Sequence, residues 1–308
     1  MLSFLTEPKF PKAAIGIEKD AITALSLQRS GKTFGIRQAA TVEVPTKLLV
    51  PNFLDRNIAE PTQFRYLLEE AVTTAGLRNR KRWSVSLPSS TARSAIITMD
   101  LAGNKGESEE IFDWKAEQSF GAPASDLRIT REKLSPDAEG RVRYFATAVK
   151  LSVLDEYETI FEQFNWKCGL ILPRALSESS WLKGSADTDS LLISTQADGF
   201  TAMMVRGDEP FVVRSVTCRD SERDDEIYRL LMFYNDRFAS ETPVRVLDRL
   251  LLVGRGLVPE KIREIADEAL GRGLRVLKAG EVGLDIPVGN LRFDDVAAPA
   301  GLAALGWR

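Results

Sequence analysis

The sequence predicts an α/β protein made of two like halves, each built on a mixed sheet, with a small α/β unit set between the copies. The order strand, strand, strand, helix, strand occurs twice along the chain. The turns into the third strands are alike, LQRSGKTF at 27–34 and MVRGDEPF at 204–211. The stretch between the copies carries a helix and a strand pair of its own.

In the first copy, AAIGIE (13–18) reads as a buried strand and Lys19 and Asp20 as a tight turn. The alternating AITALSLQ (21–28) is a half-buried strand, RSGKT (29–33) a hairpin turn with Gly31 at the flexible position, and 34–44 the third strand. Pro61 stands where a first helical residue is tolerated. Phe64, Leu67, Leu68, Ala71, Val72 and Ala75 follow at helical spacing up to Gly76, and WSVSL (83–87) closes the unit.

The second copy repeats the plan. SLLIS (190–194) is a buried strand, Asp198-Gly199 a hairpin turn, and 200–205 and 211–217 the next two strands around the turn RGDEP. Ile227, Leu230, Leu231, Tyr234 and Phe238 give the helix its apolar face, with Asp224 or Asp225 expected as its N-cap. RLLLV (249–253) is the fourth strand, and a last helix starts near Pro259.

Between the copies, 89–100 leads in and ESEEIFDWKAEQSF (107–120) is helical, with Glu109 and Glu110 favourable to the helix dipole. Segments 126–134 and 142–150 form a strand pair about the turn SPDAEG. A helix with Val153, Tyr157, Ile160, Phe161 and Phe164 on one face returns the chain. The expected organisation is therefore 1–88 and 151–184 as the first half, 89–150 as the inserted unit, and 185–308 as the second half.

Composition narrows the function. The chain has 308 residues, 44% hydrophobic and 28% charged, which is ordinary for a globular protein. A net charge of −3 offers no basic excess for nucleic acid. There is no histidine, which excludes Ser-His-Asp and Cys-His nucleophile systems, and two distant cysteines make neither a disulfide framework nor a zinc site. No apolar run approaches the roughly 20 residues that span a bilayer, and the opening MLSFLTEPKFPK is broken by Thr6, Glu7 and Pro8 before a signal-peptide core forms. A soluble protein is expected, reaching a membrane only through a partner.

Three strings resemble the PilM family of actin-like type IV pilus assembly proteins: VSLPSS (85–90), FDWKAEQSFGAP (112–123) and AAPAGLAALGWR (297–308). The helix with Trp114, Glu117 and Gln118 is the most specific of these. The resemblance implies an actin-like fold of two RNase H-like halves with a small subdomain inserted in the first. It also implies a cytoplasmic protein at the inner membrane that binds the short tail of a PilN-like single-span protein, with the pilus motor ATPase as a further partner.

Two departures bear on activity. Thr217 is followed by the short link CRDSERDD (218–225) and then by a helix, so the lid subdomain usual in the second half of such proteins is expected to be missing, as in the reduced actin-like domains of type II secretion. The phosphate hairpins are also altered. Active members place glycines and a carboxylate in each first hairpin, to bring backbone N–H groups to phosphate and to organise magnesium. Here those positions read Glu18-Lys19-Asp20, without glycine, and Ser194-Thr195-Gln196, without a carboxylate before Asp198.

Glu18, Lys19, Asp20, Ser194, Gln196, Gly254, Arg255 and Gly256 are the candidate nucleotide-binding residues. Each has a plainer reading: Glu18 to Asp20 as a polar turn, Asp198-Gly199 as an ordinary hairpin, Gly254-Arg255-Gly256 as a strand-to-helix turn with Pro259 where a third glycine would stand. Ser89, Ser90, Trp114, Glu117 and Phe120 are the candidate partner-binding residues, with core packing the alternative for the aromatics. The leading expectation is a non-catalytic scaffold with no catalytic residue, metal or cofactor. The alternatives are a switch that binds ATP and magnesium, and a sugar-kinase-like enzyme, for which no catalytic carboxylate stands out.

Overall fold

In the computed structural model the described residues are 9–100, 105–182, 185–238, 245–287 and 289–307. The chain forms three sheets. The first begins with an antiparallel meander, β1 (Ala13–Ile17), β2 (Ala21–Ser30) and β3 (Thr33–Glu43). Helix α1 (Pro61–Thr74) then crosses over to β4 (Arg82–Leu87), which pairs parallel with β1. The five residues of β1 are all buried, because helices cover both faces of this central strand.

The chain leaves the first sheet to build a three-stranded antiparallel unit from β5 (Ala92–Met99), α2 (Lys105–Phe120), β6 (Leu127–Leu134) and β7 (Val142–Lys150), in the order β5-β7-β6. It returns through α3 (Leu151–Gln163) to β8 (Lys167–Pro173), which pairs parallel with β4. Helix α4 (Arg174–Ser179) leads into the second half.

That half repeats the meander with β9 (Ser185–Gln196), β10 (Gly199–Gly207) and β11 (Glu209–Thr217), followed by α5 (Arg223–Phe238), β12 (Val246–Val253), α6 (Pro259–Leu270) and β13 (Arg275–Val276). β14 (Leu284–Asp285) and α7 (Phe293–Leu305) follow. The sheet orders are β14-β3-β2-β1-β4-β8 and β11-β10-β9-β12-β13. Without the short β14, the two large sheets have the same order.

Four expectations need correction. Residues 89–100 are more than a lead-in, since β5 is a full strand of the small sheet. β8 completes the first sheet and was not foreseen; its KCGLILP carries no clean alternation, although Asn165 turns the chain just before it with φ +56°. The helix at Pro259 is not the last: α7 follows it. α7 is Ala-rich, contains Pro299 and is buried from Val296 to Ala304, so it lacks the polar face that gives a helix its period in sequence. Finally, α5 begins at Arg223 after a 3₁₀ turn (Asp220–Glu222) capped at Arg219, which puts Asp224 and Asp225 in the first turn rather than at the N-cap.

One apolar core joins the three sheets. It contains Ala14 and Leu25 from the first, Leu134 and Phe145 from the small sheet, and Leu192, Met203 and Val205 from the second, together with most of α7. α7 lies against β1, β2 and β4 of the first half and against α4. Its start is thereby held at the junction of the two halves.

Candidate functional site

A polar cleft of about 470 Å³ opens where the two halves meet. Its walls are the β1–β2 turn, the β9–β10 turn, the loop after β12, and the starts of α4 and α7. The structure brings Glu18, Lys19, Asp20, Gln196, Gly254 and Arg255 to this cleft, from segments far apart in sequence. Ser194 is buried in β9, and Gly256 sits exposed at the edge of the loop.

Arg174 occupies the floor. Its Nη1 lies 3.1 Å from Glu18 Oε2, its Nε donates to Glu178 Oε1 at 2.6 Å, and its Nη2 donates to the carbonyl of Asp294 at 3.3 Å. Glu178 is fully buried and Arg174 nearly so. Burial pushes the Glu18 carboxyl up to about 7, with Arg174 pulling the other way. Burial also raises Glu178, again against Arg174. Two carboxylates therefore share one guanidinium: Glu178 is shut off from water, while the Glu18 side chain stays 23% exposed to the cleft.

The loop after β12 is braced from within the chain. The Gly254 N–H donates to Asp294 Oδ1 at 2.7 Å, and Thr195 Oγ1 donates to the Arg255 carbonyl at 3.2 Å. Arg223 donates to the Gly256 carbonyl at 3.2 Å and pairs with Asp220. Gly254 has φ +108°, and a Cβ there would lie 2.0 Å from Thr195 Oγ1, so this glycine is required by the turn itself. Across the cleft mouth Arg255 reaches Asp20 at 2.7 Å, both well exposed. Thus Glu18, Asp20 and the Gly254 N–H, the groups that would face a cation or phosphate, are each bonded to another residue of the chain.

Arg174, Glu178, Asp294 and Arg223 were not singled out in the sequence, and Thr195 appeared there only as part of the altered second hairpin. An Arg–Glu pair four apart looks like an ordinary exposed helix pair. Its burial follows from α4 lying under both halves.

The candidate partner residues scatter. Phe120 is fully buried in the small unit with Phe112, Leu127 and Ile97. Ser89 is buried and accepts the Ala175 N–H, while Ser90 donates to the Pro51 carbonyl. Glu117 accepts the Ala124 N–H and closes the turn after α2. Trp114 alone stands out, 59% exposed.

A groove of about 270 Å³ does lie between the small sheet and the first half. Thr130 and Glu132 of β6 and Phe145 of β7 form one wall; Leu172, Leu176 and Leu305 form the other. β6 and β8 are each the outer strand of their sheets, so each wall carries residues of an outer strand.

No family model matches the sequence, and no curated protein does. Among solved structures, the fold is similar to a chain of the "PilM-PilN type IV pilus biogenesis complex", with a TM-score of 0.76 over 98% of this chain and 100% of that one, at 16% identity. A Bacteroides thetaiotaomicron protein described as having an actin-like ATPase fold and unknown function matches with a TM-score of 0.50 over 96% of this chain and 98% of its own, at 14% identity. The chain has an actin-like fold. Its two large mixed sheets are the RNase H-like halves, and the three-stranded unit is the insert of the first. The same actin-like plan is similar to the cytoplasmic domain of EpsL, an inner membrane component of the Vibrio cholerae type II secretion system, with a TM-score of 0.50, 10% identity, and coverage of 96% of this chain and 93% of that one.

Proposed function

We propose that this protein is a non-catalytic scaffold of a type IV pilus or related secretion assembly platform, binding the cytoplasmic tail of a PilN-like inner-membrane protein. The observation that carries the reading is the groove with Leu172, Leu176, Phe145 and Leu305 along it, bordered by Thr130 and Glu132 of the outer strand β6 and by Leu172 of the outer strand β8. A free edge offers unpaired backbone groups to an extended peptide, and alternate apolar pockets select its side chains. The whole-length likeness to a chain of a PilM–PilN complex supports the same reading. Among the described residues no helix is long and apolar enough to cross a membrane, which fits attachment to the inner membrane through that partner, with the pilus motor ATPase as a further contact. The internal bonding of Glu18, Asp20 and Gly254 supports a cleft that turns over no nucleotide.

The test is a titration with a peptide from the N-terminal tail of the neighbouring PilN-like protein. Saturable binding is expected, weakened at least about tenfold by Thr130→Trp, which places an indole in the groove from an exposed position. Absence of binding to the unaltered protein sinks the proposal. The competing nucleotide switch would show itself as peptide affinity that changes with MgATP.

A further inference from the structure

We propose that the Arg174 guanidinium is a built-in cation, holding together a set of oxygen ligands that would otherwise require a divalent metal ion. The ligand set is of the hard-ion type: the carboxylates of Glu18 and Glu178 and the carbonyl of Asp294, all within 3.3 Å of one guanidinium. It is also over-supplied with negative charge. Glu18 Oε1 is buried and accepts no hydrogen bond among the described residues. Glu178 Oε2 is buried with only the Ser194 hydroxyl beside it, which favours the charged carboxylate without supplying a positive charge. The buried Glu178 carboxylate and the partly buried Glu18 carboxylate would repel each other with no cation between them, and breaking such a cluster by removing its one positive partner is costly.

The three ligands come from different parts of the fold. Glu18 lies in the β1–β2 turn of the first half, Glu178 in the connecting α4, and Asp294 in α7 of the second half. Other charged groups lining the cleft are Lys19, Asp20, Asp220, Arg223, Arg255 and Asp295. The Asp294 carboxylate also lines it, adds to burial in raising Glu178, and accepts the Gly254 N–H. Asp20 is paired with Arg255, Asp220 with Arg223, and Asp295 with Arg292, so none of these carboxylates competes for Arg174. The cation is thus covalently part of the chain, and the junction between the halves is joined without any ligand.

This inference stands apart from tail binding, which uses the groove beside β6 and is read by a separate titration. Its test is a set of thermal melts at about pH 8, with EDTA, with 5 mM MnCl2, or with 5 mM MgATP. For the unaltered protein, all three melts are expected to coincide. A rise of several degrees with Mn²⁺ or MgATP would overturn the proposal, because the ion would then have found room beside Arg174. Arg174→Ala is expected to melt more than about 5 °C lower in EDTA and to regain at least half of that loss in MnCl2. No recovery would count against the proposal.

Glu18→Gln covers the case in which the alanine variant fails to fold. It leaves one carboxylate for one guanidinium, so its melting temperature at about pH 8 is expected to equal or exceed that of the unaltered protein. A fall of more than about 5 °C would mean that Glu18 is a simple structural partner rather than excess charge. In the double variant Glu18→Gln/Arg174→Ala the Mn²⁺ response is expected to disappear. Its persistence would place the ion elsewhere and overturn the assignment.

Discussion

Gly301 lies within α7 where that helix crosses α4. A Cβ there would meet the Ser177 carbonyl oxygen at 2.2 Å and Ser180 Oγ at 2.8 Å. The contact is with backbone, which cannot swing aside, so Gly301→Ala is expected to destabilise the protein by about 1–3 kcal/mol in denaturant titration despite favouring helix locally. Glu18 gives a pH dependence of definite sign. Its carboxyl is raised from 4.5 to about 7 in the folded protein, so the native state holds this proton more tightly than the unfolded chain does. The resulting stability is fully present below about 4.5 and is lost as pH rises through about 7. Melting temperature should therefore fall from about pH 5 to about pH 8, and Glu18→Gln should flatten the profile. A profile that rises over that window would contradict the assignment.

At the scale of elements, α2 shows how one helix serves two ends. Phe112, Ala116 and Phe120 recur at four-residue spacing and are buried against the small sheet, whereas Trp114 points away from it. Phe120→Ala should cost about 3–5 kcal/mol by equilibrium unfolding, while Trp114→Ala should stay within about 0.5 kcal/mol. Equal effects would mean that the helix is rotated from the face described. β6 and β8 matter for what they leave undone: each ends its sheet, and together they frame the groove. The spacing of apolar residues made α1, α3, α5 and α6 legible. It failed for α7 because a helix buried all round has no polar stripe to mark its period.

At the scale of the molecule, the halves are not free lobes on a hinge. β14, from the chain after α6, adds a strand to the first sheet beside β3. The small unit reaches the second half through Ser135, whose N–H and hydroxyl donate to the Glu209 carboxylate, and through Leu134 and Phe145 in the shared core. A protein with a common core between its halves should unfold as one cooperative unit. Differential scanning calorimetry is expected to show a single transition; two well-separated transitions would mean that the halves fold independently. The exposed Asp20–Arg255 pair contributes little to this by comparison, since solvent screens it.

The chain's own order of residues determined the duplicated α/β plan, the inserted unit and the turns, because periodicity and turn chemistry act over a few residues. The first-hairpin residues and the 254–256 loop came into view as a candidate site through the resemblance to actin-like proteins, since Glu18-Lys19-Asp20 lacks the glycines, and Ser194-Thr195-Gln196 the carboxylate, that would have marked the hairpins locally. The partners of those residues were beyond such reading. Arg174 with Glu18, Asp294 with Gly254, and Asp20 with Arg255 are contacts between segments up to 235 positions apart, and only the packing of α4 and α7 between the halves brings them together. Burial was decided there too: Glu178, at a spacing that suits an exposed helix pair, became a fully buried carboxylate because the helix that carries it packs between α7 and the strands of both large sheets.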